Sequence, residues 1–242
     1  MKAPEFIPGH LYQEYTMFGE VGVEYSYRND CSIEIQNEIN ENFTKEKLEN
    51  SIERIKNKEQ NYYGYTDTWL YECLEKYPID DKEVCIIGST FPWYEAMCLV
   101  YGAKKCTVIE YSDRKSFHPL IEYKKPADIL DKKFDVCLSI SSFEHDGLGR
   151  YGDPINPNGD LESMTKMKDV IKKEGLMVLS IPMGNDKLYF NTHRVYGKKR
   201  FPLLIEGWEK IDEFGIAEGS YDNDINGVNG TPYQPVFILR SI

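Results

Sequence analysis

The stretch Glu83-Val84-Cys85-Ile86-Ile87-Gly88-Ser89-Thr90-Phe91-Pro92-Trp93-Tyr94-Glu95, continuing to Cys106-Thr107-Val108-Ile109-Glu110-Tyr111, decides the fold. Val84 to Ile87 is a short unbroken apolar run, the pattern of a strand buried on both faces of a parallel sheet. Gly88 ends it. Pro92 then opens a helix carrying Tyr94, Met97, Cys98, Leu99 and Tyr101, and Gly102 stops that helix. A second apolar run, Cys106 to Ile109, closes the unit and delivers the acidic Glu110. Strand, glycine turn, helix and a strand ending in an acid make a βαβ nucleotide-binding half. The turn brings a ligand against bare backbone and a helix N-terminus, and the acid accepts hydrogen bonds from a ribose diol.

The turn holds one glycine, where the dinucleotide fingerprint G-x-G-x-x-G has three. Ser89, Thr90 and Phe91 stand in the other places and leave little room for a pyrophosphate. Adenosine ligands without one, such as S-adenosylmethionine, tolerate the looser turn. The plainer alternative is an α/β protein whose strand merely ends in glycine and whose Glu110 faces water.

At 242 residues the chain suits one α/β domain with additions. Its 29 basic and 40 acidic residues give a net charge of −11, which repels phosphate backbones and argues against nucleic acid as the partner. The six cysteines, Cys31, Cys73, Cys85, Cys98, Cys106 and Cys137, form no C-x-x-C pair and no metal-ligand spacing. Four of them fall inside core elements and read as small hydrophobes, so reduced thiols in a cytoplasmic protein are expected. The residues from Met1 to Phe6 lack the apolar core of a signal peptide, and no run of 18 apolar residues occurs, so a soluble chain without membrane contact is expected.

Residues 1–60 read as an N-terminal extension or cap and residues 61–242 as the main domain. Within the extension, Met17 to Tyr27 suggests one or two strands outside the main sheet, and Thr44 N-caps a helix carrying Leu48, Ile52 and Ile55. Thr66 or Asp67 caps a helix that Pro78 ends, just after an aromatic cluster (Tyr62, Tyr63, Tyr65, Trp69) placed to line a cofactor pocket or simply to pack on the sheet edge. A third strand is expected near Ala127 to Leu130, a fourth over Phe134 to Ile140, a helix from Asp160 to Lys173, and a fifth strand over Leu176 to Ile181. Further on come a helix over Arg200 to Glu206, a strand near Trp208 to Phe214, an Asn-, Gly- and Asp-rich loop from Tyr221 to Tyr233, and a last strand over Pro235 to Leu239. After the fourth strand the chain runs Ser141-Ser142-Phe143-Glu144-His145-Asp146-Gly147-Leu148-Gly149-Arg150-Tyr151-Gly152-Asp153. Such a dense polar stretch at the carboxyl end of a core strand is where open α/β sheets bind ligands.

This order of elements resembles the class I S-adenosylmethionine-dependent methyltransferases. More narrowly, Ser141 to Asp153, Gly175 to Met183 and Asn191-x-His193-Arg194-x-Tyr196 are similar to the domain-of-unknown-function 268 family. The resemblance implies a Rossmann-like, mostly parallel seven-stranded sheet with helices on both faces and the last strand inserted antiparallel. It implies S-adenosylmethionine as cofactor, with Gly88, Ser89 and Thr90 against the methionine part. Glu110 would then take the ribose hydroxyls, Tyr111 would flank the adenine and Asp128 or Ile129 would meet its edge. Ser139, Ser141 and Ser142 would lie near the sulfonium, and Tyr63 in the pocket wall.

Methyl transfer from a sulfonium is an in-line displacement in which the protein aligns the acceptor and, for a hydroxyl, removes its proton. His145, flanked by Glu144 and Asp146, is the expected base with a carboxylate to orient it, and His193 is a second candidate on the same rim. The plain alternative for each is a hydrogen-bonded structural histidine. Arg150 and Arg194, with Tyr151 and Tyr196, are expected to bind a small acceptor that is phosphorylated, nucleotide-linked or otherwise anionic, since arginine takes such groups bidentately. Ion pairs with surface acids compete with that reading. A metal held by Glu144, His145, Asp146 and Asp153 is set aside, because adjacent residues seldom point the same way. The expected function is O-methylation of a small, carbohydrate-type or phosphorylated metabolite. The competing readings are a scaffold in which Ser89-Thr90-Phe91 fill the pocket, and a nucleotide-sugar oxidoreductase, whose glycines are missing here.

Overall fold

The computed structural model describes residues 3–129, 131–223 and 233–241. In chain order its elements are α1 (Tyr12–Tyr15), β1 (Gly22–Tyr25), α2 (Ile33–Asn40), α3 (Lys45–Lys56), α4 (Tyr65–Lys76), β2 (Glu83–Ile87), α5 (Trp93–Val100), β3 (Lys105–Ile109) and β4 (Ile121–Lys124). They continue with β5 (Phe134–Ile140), α6 (Gly159–Val170), β6 (Ile171–Ser180), β7 (Lys187–Phe190), β8 (His193–Val195), α7 (Arg200–Leu204), β9 (Trp208–Phe214) and β10 (Val236–Ser241).

Seven strands form one sheet in the order β4-β3-β2-β5-β6-β10-β9. The first five are parallel, while β10 lies antiparallel between β6 and β9. Alternation along each strand sorts the core into two layers. Val84 and Ile86 share a face with Cys106, Val108, Val136, Leu138 and Ile238, covered by Leu48 and Ile55 of α3, Leu70 and Leu74 of α4, and Trp93 and Met97 of α5. Cys85, Cys137, Met177, Leu179, Phe237 and Leu239 face the other way, under Met164 and Met167 of α6 and Phe201 and Leu204 of α7. Cys85, Cys98, Cys106 and Cys137 are all fully buried, as small hydrophobes in a core should be.

A second sheet of three strands, β1-β7-β8, stands outside the first. Its β1 lies within Met17 to Tyr27, where strands outside the main sheet were expected. It closes a satellite core of Ile7, Tyr15, Val21, Leu148, Leu188 and Phe190. The N-terminal residues thus pack on the hairpin that follows the fifth parallel strand and on the rim loop at Leu148. Among the described residues no helix is long and apolar enough to cross a membrane.

Three local expectations are corrected. The edge strand is Ile121–Lys124, not Ala127 to Leu130. Residues Pro126–Ile129 form a 3-10 turn, and Leu130 lies outside the described residues. Pro126 has no N–H for a ladder, whereas the half-buried Glu122-Tyr123-Lys124 pairs well with β3. The helix expected to reach Lys173 stops at Val170, because Ile171 is recruited into β6 opposite Phe134. Sheet pairing there overrides a helical apolar period. Helix α4 begins after Gly64, at φ +57°, so Thr66 and Asp67 lie within its first turn. Their side chains turn inward: Thr66 donates to the Gln234 carbonyl at 2.7 Å, and Asp67 accepts from the Trp93 indole at 3.0 Å. Thr44, by contrast, caps α3 as expected, accepting from the Lys47 N–H. Most of the Tyr221 to Tyr233 loop lies outside the described residues.

Candidate active site

The carboxyl ends of β2, β3 and β5 meet at Gly88. Its φ of +72° favours glycine, and a Cβ there would stand 2.9 Å from Ser142 Oγ, so a larger residue would displace that hydroxyl. The next residue ties the turn to the neighbouring strand: Ser89 N–H donates to Glu110 Oε2 at 3.1 Å, and Tyr111 N–H to Oε1 at 2.8 Å. Glu110 is therefore fixed at the mouth of the crevice, with lone pairs left for further donors. Tyr111 is 57% exposed beside it. Thr90 is exposed, and its carbonyl accepts from Asn42 Nδ2 at 3.1 Å.

Below the turn lies an acid that the sequence reading did not single out. Glu95, on the first turn of α5, is fully buried and accepts from Ser89 Oγ at 2.6 Å and Tyr123 Oη at 3.2 Å. Burial pushes its carboxyl up to about 7, against the pull of the Ser89 hydrogen bond, and its Oε2 has no partner. Arg114 closes the far side with a side chain only 1% exposed, donating to Asn40 and Gln36 of α2 at 3.0 Å each.

At the exit of β5 the polar groups are denser. Ser139 is buried with an unpartnered Oγ. Ser141 takes a left-handed φ of +53°, which aims its hydroxyl at Glu144 Oε1, 2.5 Å away, while Gln234 Nε2 donates to it at 3.2 Å. The Tyr63 hydroxyl also reaches Ser141, and burial pushes its phenol well up. Glu144 is raised to about 7 by burial, with the Ser141 bond opposing. Glu144 Oε2, Ser139 Oγ and Gln234 Oε1 are buried without partners. Three orphaned polar atoms thus gather at one strand exit beside a glycine turn, whereas buried polar groups ordinarily have partners.

His145 follows directly. Its Nδ1 lies 2.7 Å from the Thr192 carbonyl, an approach that requires the proton on Nδ1 and leaves Nε2 as a lone-pair acceptor. The Thr192 carbonyl, not an adjacent acid, orients the ring; Glu144 Oε1 lies on the other side, 3.6 Å from Nε2. Burial holds the imidazole well below its usual range, and Arg150 adds to the effect, so His145 is neutral at pH 7. Asp146 points elsewhere, toward Ser163, with its carboxyl pushed up to about 7 by burial. His193 sits with its ring centroid 6.5 Å from that of His145 and stacks on Tyr189 at 4.8 Å. The flanking Tyr151 packs edge-on to His145 at 5.4 Å.

The arginines expected to meet an acceptor are mostly engaged. Arg150 is paired with Asp30 at 2.6 Å, with its guanidinium 4.9 Å from the Tyr151 ring. Arg194 and Tyr196 do not fit the substrate-binding expectation, because both are buried with their polar atoms satisfied internally. Arg194 donates to the carbonyls of Asp146 at 2.7 Å and Pro157 at 3.2 Å, and Tyr196 to Asp160 Oδ2 at 2.8 Å. Asp160 also takes Arg200 bidentately, at 2.6 and 2.8 Å. This buried cluster staples the rim loop to α6. Asp160 carried no sequence signal beyond its place at the start of a helix, and Thr192 acts through a carbonyl that any residue supplies. Among the described residues no group of three His, Cys, Asp or Glu side chains converges as metal ligands.

Residues 81–228, from just before β2 to beyond β9, match the model of a family described as Caenorhabditis protein of unknown function, DUF268. The chain belongs to the DUF268 family. No curated protein matches it by sequence. Among solved structures, this DUF268 protein superposes over its whole length on 93% of the Burkholderia thailandensis 1,6-didemethyltoxoflavin-N1-methyltransferase, at 12% identity and a TM-score of 0.53. An S-adenosylmethionine-dependent methyltransferase from Clostridium acetobutylicum aligns with 75% of the chain and 93% of its own, at 10% identity and a TM-score of 0.49. A methyltransferase-like protein from Streptococcus mutans aligns with 72% of the chain, at 10% identity and a TM-score of 0.46, and the chain spans about half its length, 48%. The first likeness, together with the strand order and the antiparallel β10, places the DUF268 chain in the class I methyltransferase fold.

Proposed function

We propose that this DUF268 protein is a cytoplasmic S-adenosylmethionine-dependent methyltransferase that methylates a hydroxyl of a small, anionic carbohydrate-type or phosphorylated metabolite. One observation carries the reading. The sheet order with β10 inserted antiparallel brings Gly88, Glu110, the orphaned atoms of Ser139 and Glu144, and the free Nε2 of His145 to a single rim. Open α/β sheets bind ligands at that rim.

In this reading Glu110 takes the ribose diol, and Gly88 and Ser89 offer backbone to the methionine part. Tyr111 covers the adenine, and Ser139, Ser141, Ser142 and Tyr63 line the sulfonium end. The cofactor supplies an electrophilic methyl group. The chain supplies alignment and a proton acceptor: with Nδ1–H held by Thr192, His145 Nε2 receives the acceptor's hydroxyl proton. Residues 1–60 serve as the cap. They reach the site through Asp30 on Arg150, Asn42 on Thr90 and the Tyr15 hydroxyl on the Gly147 carbonyl, 2.5 Å away.

A second reading, a non-catalytic binding protein, draws on Ser142 Oγ standing against Gly88 and on both Glu110 oxygens already accepting backbone N–H groups. Calorimetric titration with S-adenosylmethionine, S-adenosylhomocysteine and NAD separates the two. Micromolar binding of the sulfur cofactors, weakened about tenfold or more by Glu110→Ala, is the expected result, since losing a charged acceptor removes about 1.5–3 kcal/mol. Silence with all three ligands favours the second reading, and binding of NAD alone overturns the methyltransferase reading.

A further inference from the structure

The acceptor's anionic group still needs a cation, and the geometry points to Arg28. Six of the seven arginines engage acids, carbonyls or amides: Arg54 with Glu59, Arg114 with Gln36 and Asn40, Arg150 with Asp30, Arg194 and Arg200 with Asp160, and Arg240 with Glu209. Arg28 is exposed and, among the described residues, the one whose guanidinium makes no hydrogen bond or ion pair. Its backbone, however, is held firmly. Arg28 N–H donates to Asn191 Oδ1 at 2.8 Å and its carbonyl accepts from Asn191 Nδ2 at 2.9 Å, while Asn191 itself is fully buried. On either side Thr192 Oγ1 donates to the Ser26 carbonyl, and Asp30 N–H donates to the Arg150 carbonyl at 2.9 Å.

Residues 26–30 therefore form a strap between the His193 hairpin and the Arg150 loop, with the exposed Arg28 in its middle. The backbone of Arg28 is thus fixed while its guanidinium stays unpaired in a chain of net charge −11. The same neighbourhood offers a second free group, the His193 ring, stacked on Tyr189 with no hydrogen bond from either nitrogen among the described residues. Arg28 and Arg150 together help hold that imidazole down to about 4, after burial. Arg150 is paired with Asp30, whereas the Arg28 guanidinium has no ion-pair partner among the described residues, and a local cation focuses anions even on an acidic protein.

We infer that Arg28 and His193 form the anion subsite of the acceptor pocket, taking a carboxylate or phosphate monoester. This deepens the proposed function and rests on it for the identity of the reacting hydroxyl. The His145 and His193 rings are 6.5 Å apart, so the acceptor carries its hydroxyl and its acid group a few bonds apart, as in a sugar phosphate or a hydroxy acid. Arg28 is a binding residue here, and its guanidinium fork matches either anion bidentately.

The test is an NMR titration of the histidine ring protons of the full chain with inorganic phosphate, then with acetate. Saturable binding that raises the His193 pKa is expected, because a bound anion favours the imidazolium. Arg28→Gln should weaken that binding at least tenfold and Arg28→Lys less, while the fold, read by circular dichroism, is unchanged. The inference is overturned if neither ion saturates, or if Arg28→Gln binds as the parent does. S-adenosylhomocysteine titrated into the same samples reports on the methyltransferase reading separately. Arg28-dependent anion binding without cofactor binding sustains the subsite and sinks that reading; the reverse pattern sinks the subsite alone.

Discussion

The two halves of the candidate site are built in opposite ways. The ribose and turn side of the proposed cofactor end comes from one continuous stretch, Gly88 to Tyr111, whose groups hold one another through Ser89 and Glu110. The acceptor end is assembled from segments far apart in sequence. The strap at residues 26–30, the rim loop at residues 144–153 and the hairpin turn at residues 190–193 meet through side chain to backbone bonds and the Asp30–Arg150 ion pair. A βαβ unit needs only local connections to place a glycine turn opposite an acid. A pocket for a particular small molecule needs shape and charge drawn from several loops, which a scaffold positions but does not prescribe.

Separating the halves by mutation sharpens the contrast. His145→Ala should lower turnover by about 10²- to 10⁴-fold, the range for a lost general base, yet leave S-adenosylhomocysteine affinity within about twofold. A parallel loss of cofactor affinity would mean that the two ends are one unit. Asp160→Ala strips the counter-charge from Arg194 and Arg200, both buried, and should cost about 3–5 kcal/mol in chemical denaturation. Its damage should concentrate at the acceptor end, because Arg194 carries the carbonyls of the rim loop. An unchanged denaturation midpoint would remove the staple from the account.

A smaller effect tests the cofactor end through pH. Glu95 is raised in the fold from 4.5 to about 7, so its folded form binds the proton more tightly than its unfolded form. Its contribution to stability is then complete below about pH 4.5 and lost as pH rises through about 7, amounting to about 3 kcal/mol. The buried histidines run the opposite way: with folded pKa values depressed, they cost stability as pH falls below their unfolded value of about 6.5. Glu95→Gln keeps an acceptor for Ser89 and Tyr123 and should make stability fall less between pH 5 and pH 8 than in the parent. Equal slopes in the two proteins, measured by denaturant titration, would place the acid-linked term elsewhere.

The sequence by itself determined the sheet that carries the site. Val84 to Ile87, Cys106 to Ile109 and Phe134 to Ile140 are short apolar runs bounded by breakers, and buried parallel strands have few other ways to look. Gly88, Glu110 and His145 were legible for the same reason, since each sits where a strand ends. The tertiary structure alone decided which charges remain free. The sequence pointed to Arg150 and Arg194 and passed over Arg28, yet Asp30 pairs with the first, backbone carbonyls and Asp160 bury the second, and Asn191 holds only the backbone of the third. The burial of Glu95, the orientation of His145 by a carbonyl and the end of α6 at Val170 have the same origin. Each depends on what the fold brings alongside from distant segments, because charge pairing, desolvation and strand pairing are set by neighbours in space.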